Sequence, residues 1–206
     1  MTSITAPAMR REIGTLPLLA HPTCCAVKPY IRLTMLACFN AFQGVLPHMT
    51  SVAIFVDTQN VYYTTRDAYR KNFDYNKFWA QATANRKVTG AFCYAIDKGD
   101  QKQREFQNIL RAIGFEVKLK PFIQRSDGSA KGDWDVGITL DAIEYAEKAD
   151  VIVLVSGDGD FDLLAHKIRT VHGKKVEVYG VPQLTAASLI NAASEFVPIK
   201  RDLLLG

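Results

Sequence analysis

The sequence predicts a three-layer α/β fold, a central and mainly parallel sheet with helices on both faces. Three observations predict it. Two short runs are apolar throughout, Val52 to Val56 and Val151 to Val155, as in strands buried on both faces of a parallel sheet. Strand-like and helix-like segments alternate from Met49 to the end, which implies right-handed crossovers. The chain has 206 residues and 48% hydrophobic content, enough for one domain with a sizeable core but short for two ordinary ones.

After the first apolar run, helices are expected over 60–69 and 75–86, then a strand over 88–96. The segment 101–113 reads as a helix ended by Gly114, and 115–122 as a strand. Ser126-Asp127-Gly128-Ser129 marks 124–132 as a turn-rich, mobile connection. A helix over 134–148 leads into the second apolar strand. A helix over 160–171, a strand over 175–179, a helix over 186–193 and a short strand over 196–199 complete the alternation.

The first 48 residues read differently. They hold Arg10, Arg11, Lys28 and Arg32 against the single acid Glu12, five prolines and no sustained apolar period. Their longest apolar-leaning stretch, 33–42, is far short of the roughly 20 residues of a membrane helix. A secretory or organelle-targeting signal is only fragmentarily present. The expectation is a disordered leader or an early start, with Met49 as the functional first residue and 49–206 as one domain. Three of the four cysteines, Cys24, Cys25 and Cys38, lie in the leader without disulfide or zinc spacing, so a reducing cytoplasmic setting is expected, with no membrane association. The leader supplies most of the net charge of +4, and a nearly balanced domain excludes a protein that binds nucleic acid by bulk charge.

Function is sought at the carboxyl ends of the parallel strands, at the switch point where successive connections leave in opposite directions. Asp57 directly follows the first apolar strand, and Asp158, Asp160 and Asp162 follow the second within Ser156-Gly157-Asp158-Gly159-Asp160-Phe161-Asp162. If these strands are neighbours, their trailing acids converge. For the helix from Trp134, each residue advances about 100°. Ile138, Ala142, Tyr145, Ala146, Ile143, Val136 and Leu140 then cover a broad apolar arc that includes Asp135, whereas Asp141, Glu144 and Lys148 fall on the expected solvent face, with Asp133 at its edge. A carboxylate on a buried face needs a partner or a cation. Asp160 serves equally well as an N-cap, and Asp162 as a complement to the helix dipole. Asn60 can cap the following helix or orient water and phosphate, and Lys131 can hold a phosphate beside the acids.

Converging carboxylates call for a cation, and Mg²⁺ or Mn²⁺ accepts carboxylate oxygens while keeping waters. Such an ion serves phosphodiester hydrolysis. Neither a glycine-rich phosphate cradle nor a P-loop is present, and His166, His172 and Cys93 form no zinc or nucleophile pattern.

Three ordered motifs, Val52-Ala-Ile-Phe-Val-Asp57-Thr-Gln-Asn60, Lys131-Gly132-Asp133-Trp134-Asp135-Val136 and Ser156-Gly157-Asp158-Gly159-Asp160-Phe161, resemble those of the NYN domain family in its LabA-like branch, a group within the PIN-like nuclease fold. The resemblance spans Met49 to about Lys200. It implies a Rossmann-like sheet in the order 3-2-1-4-5 and a Mg²⁺- or Mn²⁺-dependent ribonuclease acting on single-stranded RNA. Asp57, Asp135, Asp158 and Asp160 match the catalytic and metal-binding positions, Asp162 is a further candidate ligand, and Asn60, Lys131 and Ser156 are candidates for holding substrate. Arg66, Arg70, Lys71, Lys98, Lys102, Arg104 and Arg125 are candidate phosphate contacts, and Tyr62, Tyr63, Tyr69 and Tyr94 candidate stacking platforms. Two other readings remain, a non-catalytic RNA- or protein-binding regulatory module of the same fold and a small-molecule phosphohydrolase. Against the latter, the first strand leads into Asp57-Thr58-Gln59 and not an Asp-x-Asp nucleophile. The oligomeric state is open, a homodimer included.

Overall fold

A computed structural model describes residues 49–97, 99–121, 123, 124, 130, 131 and 133–206, with the backbone alone over 121–131. The expected leader, with its three cysteines, lies outside these residues, as do Lys98 and Arg125.

Strand β1, Ser51–Asp57, is central because its interior is apolar on both faces. It pairs in parallel with β2, Lys87–Asp97, on one side and β6, Val151–Val155, on the other. Outside β2 lies β3, Glu116–Pro121; outside β6 lie β7, Lys175–Gly180, and the short β8, Glu195–Pro198. The sheet order β3-β2-β1-β6-β7-β8 agrees with the expected one, and the short strand expected over 196–199 extends it as a sixth at the edge, where Pro198 is tolerated. Between β3 and the next helix, β4 (Ile123–Gln124) and β5 (Ala130–Lys131) form a small antiparallel pair within the expected loop.

Alternate residues of β1 feed two cores. Val52, Ile54 and Val56 face one layer with Val61 of α1 (Thr58–Tyr69), Phe78 of α2 (Tyr75–Ala82) and Leu110 of α3 (Gln101–Ile113). Ala53 and Phe55 face the other, with Ile138 of α4 (Asp135–Ala146), Leu164 and Ile168 of α5 (Asp162–Thr170) and Leu189 of α6 (Ala187–Ala192). The chain thus builds outward from β1 beneath one layer, then returns to β6 and builds outward the other way beneath the second. The switch point falls between β1 and β6. Among the described residues no helix is long and apolar enough to cross a membrane.

Several expectations are corrected. The helix from Tyr75 stops at Ala82, because the Thr83 hydroxyl bonds back to the Trp79 carbonyl and Asn85 turns left-handed at φ 57°. The helix expected from Asp160 begins as a 3₁₀ turn over Gly159–Phe161 and becomes α-helical at Asp162. On α4 the buried arc is narrower than the apolar pattern suggested. Val136 and Leu140 are 69% and 64% exposed, whereas Ile138, Ala142 and Ala146 are buried in the core and Tyr145 packs edge-on against Phe55 and Phe92 of the sheet. Asp141 leaves the solvent face to bond the Tyr94 hydroxyl at 2.5 Å and the Lys118 ammonium at 2.6 Å.

Candidate active site

At the end of β1, Asp57 caps α1, its Oδ1 accepting the N–H groups of Gln59 and Asn60, both at 3.1 Å. The neighbouring β6 runs into Ser156-Gly157. Ser156 is buried, and its hydroxyl accepts the Asp158 N–H at 3.2 Å. The Gly157 N–H donates to Asn60 Oδ1 at 2.9 Å, which ties the two strand-end loops together. A Cβ at position 157 would sit 2.7 Å from the Leu184 carbonyl oxygen, so only glycine allows this close approach. Asp158 then caps the 3₁₀ turn, its Oδ1 accepting the Asp160 N–H at 3.1 Å. The capping role weighed for Asp160 therefore belongs to Asp158, and Asp160 itself is exposed.

Asp135 arrives from the other layer. Trp134 anchors the start of α4 by donating its indole N–H to the Ala95 carbonyl at 2.9 Å and packing edge-on against Tyr94 at 5.3 Å. A Cβ on Gly137 would meet the Trp134 ring at 2.6 Å, so the helix gives up a side chain to seat the indole. Asp135, one residue on, is delivered half-buried to the strand ends.

The result is that carboxylate oxygens of Asp135, Asp158 and Asp160 all lie within 4.8 Å of one another. Asp57 joins Asp135 and Asp158 in lining an open cavity of about 260 Å³, with Gln59, Asn60, Tyr63, Asp133 and Trp134. Among the described residues none of the four acids forms an ion pair. Burial, reinforced by repulsion from Asp135 and Asp158, pushes the Asp57 carboxyl up to about 6 against the pull of its two N–H bonds. Asp135 is also raised, by burial first and then by Asp158, Asp133 and Asp160, with Lys120 opposing.

The sequence model of the NYN domain covers residues 51–200. The chain belongs to the NYN domain family. It is 31% identical over 160 residues to the low amplitude and bright protein LabA of Synechococcus elongatus, across 72% of this chain and 83% of that one. A protein of unknown function from Vibrio parahaemolyticus RIMD 2210633, known from its crystal structure, is 61% identical and superposes with a TM-score of 0.74, covering 77% of this chain and 98% of that one. NYN domains are generally ribonucleases, and the family binds RNA in general.

In this NYN domain the other expected site residues take distinct places. Asp162 opens α5 and is not among the three acids whose oxygens converge. Asn60 caps nothing; its carbonyl holds Gly157. Lys131 contributes its backbone to β5, while its side chain lies outside the described residues. Tyr94 is fully buried, and Tyr69 packs against the core with its hydroxyl donating to the Ile199 carbonyl at 2.9 Å, so of the four candidate platforms only Tyr62 and Tyr63 stand in solvent. Sequence reasoning missed Gln59 and Asp133 as cavity walls, and Tyr63, expected as a stacking platform, is a third wall of the same cavity. Gln59 and Tyr63 are one helical turn apart on α1 and share the face that follows Asp57, which helical spacing could have shown. Lys120, which bonds the Asp133 carbonyl at 2.7 Å and lies 4.8 Å from the Trp134 ring centre, carried no such signal.

Proposed function

We propose that this NYN domain hydrolyses phosphodiester bonds of single-stranded RNA with Mg²⁺ or Mn²⁺ held beyond the carboxyl ends of β1 and β6. The observation that carries the reading is the approach of the Asp135, Asp158 and Asp160 oxygens to within 4.8 Å, with no ion pair among the described residues to neutralise them. Hard oxygen donors from three separate side chains suit these ions, which keep several waters of their own. NYN nucleases usually use divalent metals.

Asp135, Asp158 and Asp160 would hold the ion, with Asp57 beside them. When bound, it supplies polarisation of a phosphoryl oxygen and a more acidic water. Asp57 commits Oδ1 to capping α1, which leaves Oδ2 to take a proton from the attacking water. Asn60 commits its carbonyl to Gly157 and keeps an amide N–H₂ to donate to a phosphate oxygen. Ser156 acts as a positioning residue, because its hydroxyl sets the Asp158 backbone.

The test is cleavage of a fluorescent single-stranded RNA by the full chain in Mg²⁺ or Mn²⁺. Asp158→Asn is expected to lower the rate by about 10²-fold or more with the circular dichroism spectrum unchanged. Equal rates for the two proteins would sink the proposal. Salt-sensitive RNA binding without turnover at any divalent ion would replace it with the non-catalytic binding module.

A further inference from the structure

The edge strand β3 carries two lysines on one face. Lys118 and Lys120 are two residues apart in a strand, so both side chains leave toward the layer of α4, where Lys118 meets Asp141 and Lys120 meets Trp134. Their charges are treated differently. Lys118 is neutralised by the Asp141 carboxylate at 2.6 Å and lies 4.6 Å from the centre of the Phe92 ring. Lys120, closer to the carboxyl end of the strand, forms no ion pair among the described residues. Its ammonium donates to the Asp133 carbonyl at 2.7 Å and lies 4.8 Å from the centre of the Trp134 ring. A neutral acceptor and a ring face steady the group without cancelling its charge, and of its three N–H donors two are left.

The place where this cation is steadied decides what it can serve. Asp133 and Trp134 are walls of the cavity that holds the acids, and Asp135 is the next residue along the chain. The Lys120 charge reaches Asp135, whose carboxyl it pulls down against burial and the surrounding acids. An anion at Lys120 must tolerate those carboxylates. A single strand does so once one of its phosphates is held at the acids, because the next phosphate is then delivered to the lip of the cavity by the chain itself. An ammonium held on a ring is suited to such a contact, which positions a backbone and reads no base.

We infer that Lys120 anchors a backbone phosphate of the bound RNA at the lip formed by Asp133 and Trp134, and so fixes the strand on the α4 side of the acids. The inference rests on the RNA reading of the acid site, and its test separates the two. Binding of a short fluorescent single-stranded RNA to the full chain is measured by anisotropy across a series of salt concentrations, with Asp158→Asn as the parent so that the RNA stays intact. Lys120→Met keeps an alkyl stem over the Trp134 ring and removes the charge. It is expected to weaken binding about tenfold, by the same factor for homopolymers of all four bases. The slope of log affinity against log salt should become shallower by about 0.7, the value for one phosphate contact on a single strand. Lys120→Arg should return the slope to that of the parent and the affinity to within about threefold.

A merely structural lysine would instead hold the Asp133-Trp134 segment, and its loss would misplace Asp135. Calorimetric titration of Mn²⁺ into chains with Asp158 intact reads this, and Lys120→Met should bind the ion at least as well as the wild type, since a cation beside the acids has been removed. Unchanged RNA affinity in Lys120→Met overturns the inference, as does a weakening that leaves the salt slope as it was or that comes with a fall in Mn²⁺ affinity. Cleavage is read in parallel, where the Lys120→Met loss should appear in KM, with kcat within about threefold. Cleavage by the wild type together with RNA binding that ignores Lys120 removes the anchor alone. Salt-sensitive binding that depends on Lys120 without any cleavage removes the nuclease and keeps the anchor, and a parent chain that binds no RNA removes both.

Discussion

Acids sit toward both ends of the sheet, and the two ends treat them in opposite ways. Toward the amino ends, Glu177 of β7 is 2% exposed, yet Arg86 holds it with a bidentate pair at 2.8 and 3.0 Å and Lys175 at 3.1 Å. Burial alone would push its carboxyl up, and these cations bring it below its ordinary value. Asp150, just ahead of β6, accepts both the N–H and the hydroxyl of Ser51 at 2.8 and 2.6 Å and so clips β6 to β1. Toward the carboxyl ends, Asp57 and Asp135 are raised, by burial first and then by the carboxylates around them, and among the described residues no ion pair offsets this. Burial by itself does not separate structure from function in this molecule. The partner does: a carboxylate given a cation holds the fold together, and one surrounded by its own kind waits for a cation from solution.

The contrast can be broken most forcefully at the amino end. Arg86→Ala leaves Glu177 buried with Lys175 alone and should cost about 3 kcal/mol in urea unfolding, while RNA cleavage by the fraction that stays folded is unchanged. A loss near zero would remove the structural half of the comparison. At the other end the sign reverses. The Asp57 carboxyl titrates at about 6 in the fold against 3.8 in the unfolded chain, so its contribution to stability is full below about pH 4 and is lost as pH rises through 6. In metal-free buffer near pH 7, Asp57→Asn should therefore stabilise the chain, by on the order of 1–3 kcal/mol before allowance for solvent screening, and the gain should vanish near pH 4. A destabilised variant at neutral pH would contradict the raised value. The smallest effect is expected from Asp150→Asn, about 1 kcal/mol of stability and no change in cleavage, since the amide keeps one acceptor for Ser51.

The architecture was legible because its signals are local and repeated. Two apolar runs marked the buried strands, and helix-like segments between strands implied parallel crossovers. The acids after Val56 and Val155 were legible for the same reason, since β1 and β6 prove to be neighbours and end together. Helical spacing correctly separated Asp135 from Glu144 and Lys148. It failed for Asp141, because periodicity says which way a side chain points and not which polar group waits there, here Tyr94 and Lys118. It also overcounted the buried face of α4, where Val136 and Leu140 are apolar but meet no element of the sheet. Asn60 was singled out as a phosphate or water ligand, but its bond to Gly157 joins residues 97 positions apart, which no local pattern reports.

The central claim is that the carboxyl-end acids, unlike those at the amino end, are arranged to take a divalent ion. Calorimetric titration of Mn²⁺ into the full chain tests it most directly, with Asp135→Asn, Asp158→Asn and Asp150→Asn compared at neutral pH. The account predicts saturable binding to the wild-type chain, weakened about tenfold or more by Asp135→Asn and by Asp158→Asn and untouched by Asp150→Asn. Affinity that is the same in all four proteins, or an absence of binding to the wild-type chain, would contradict it.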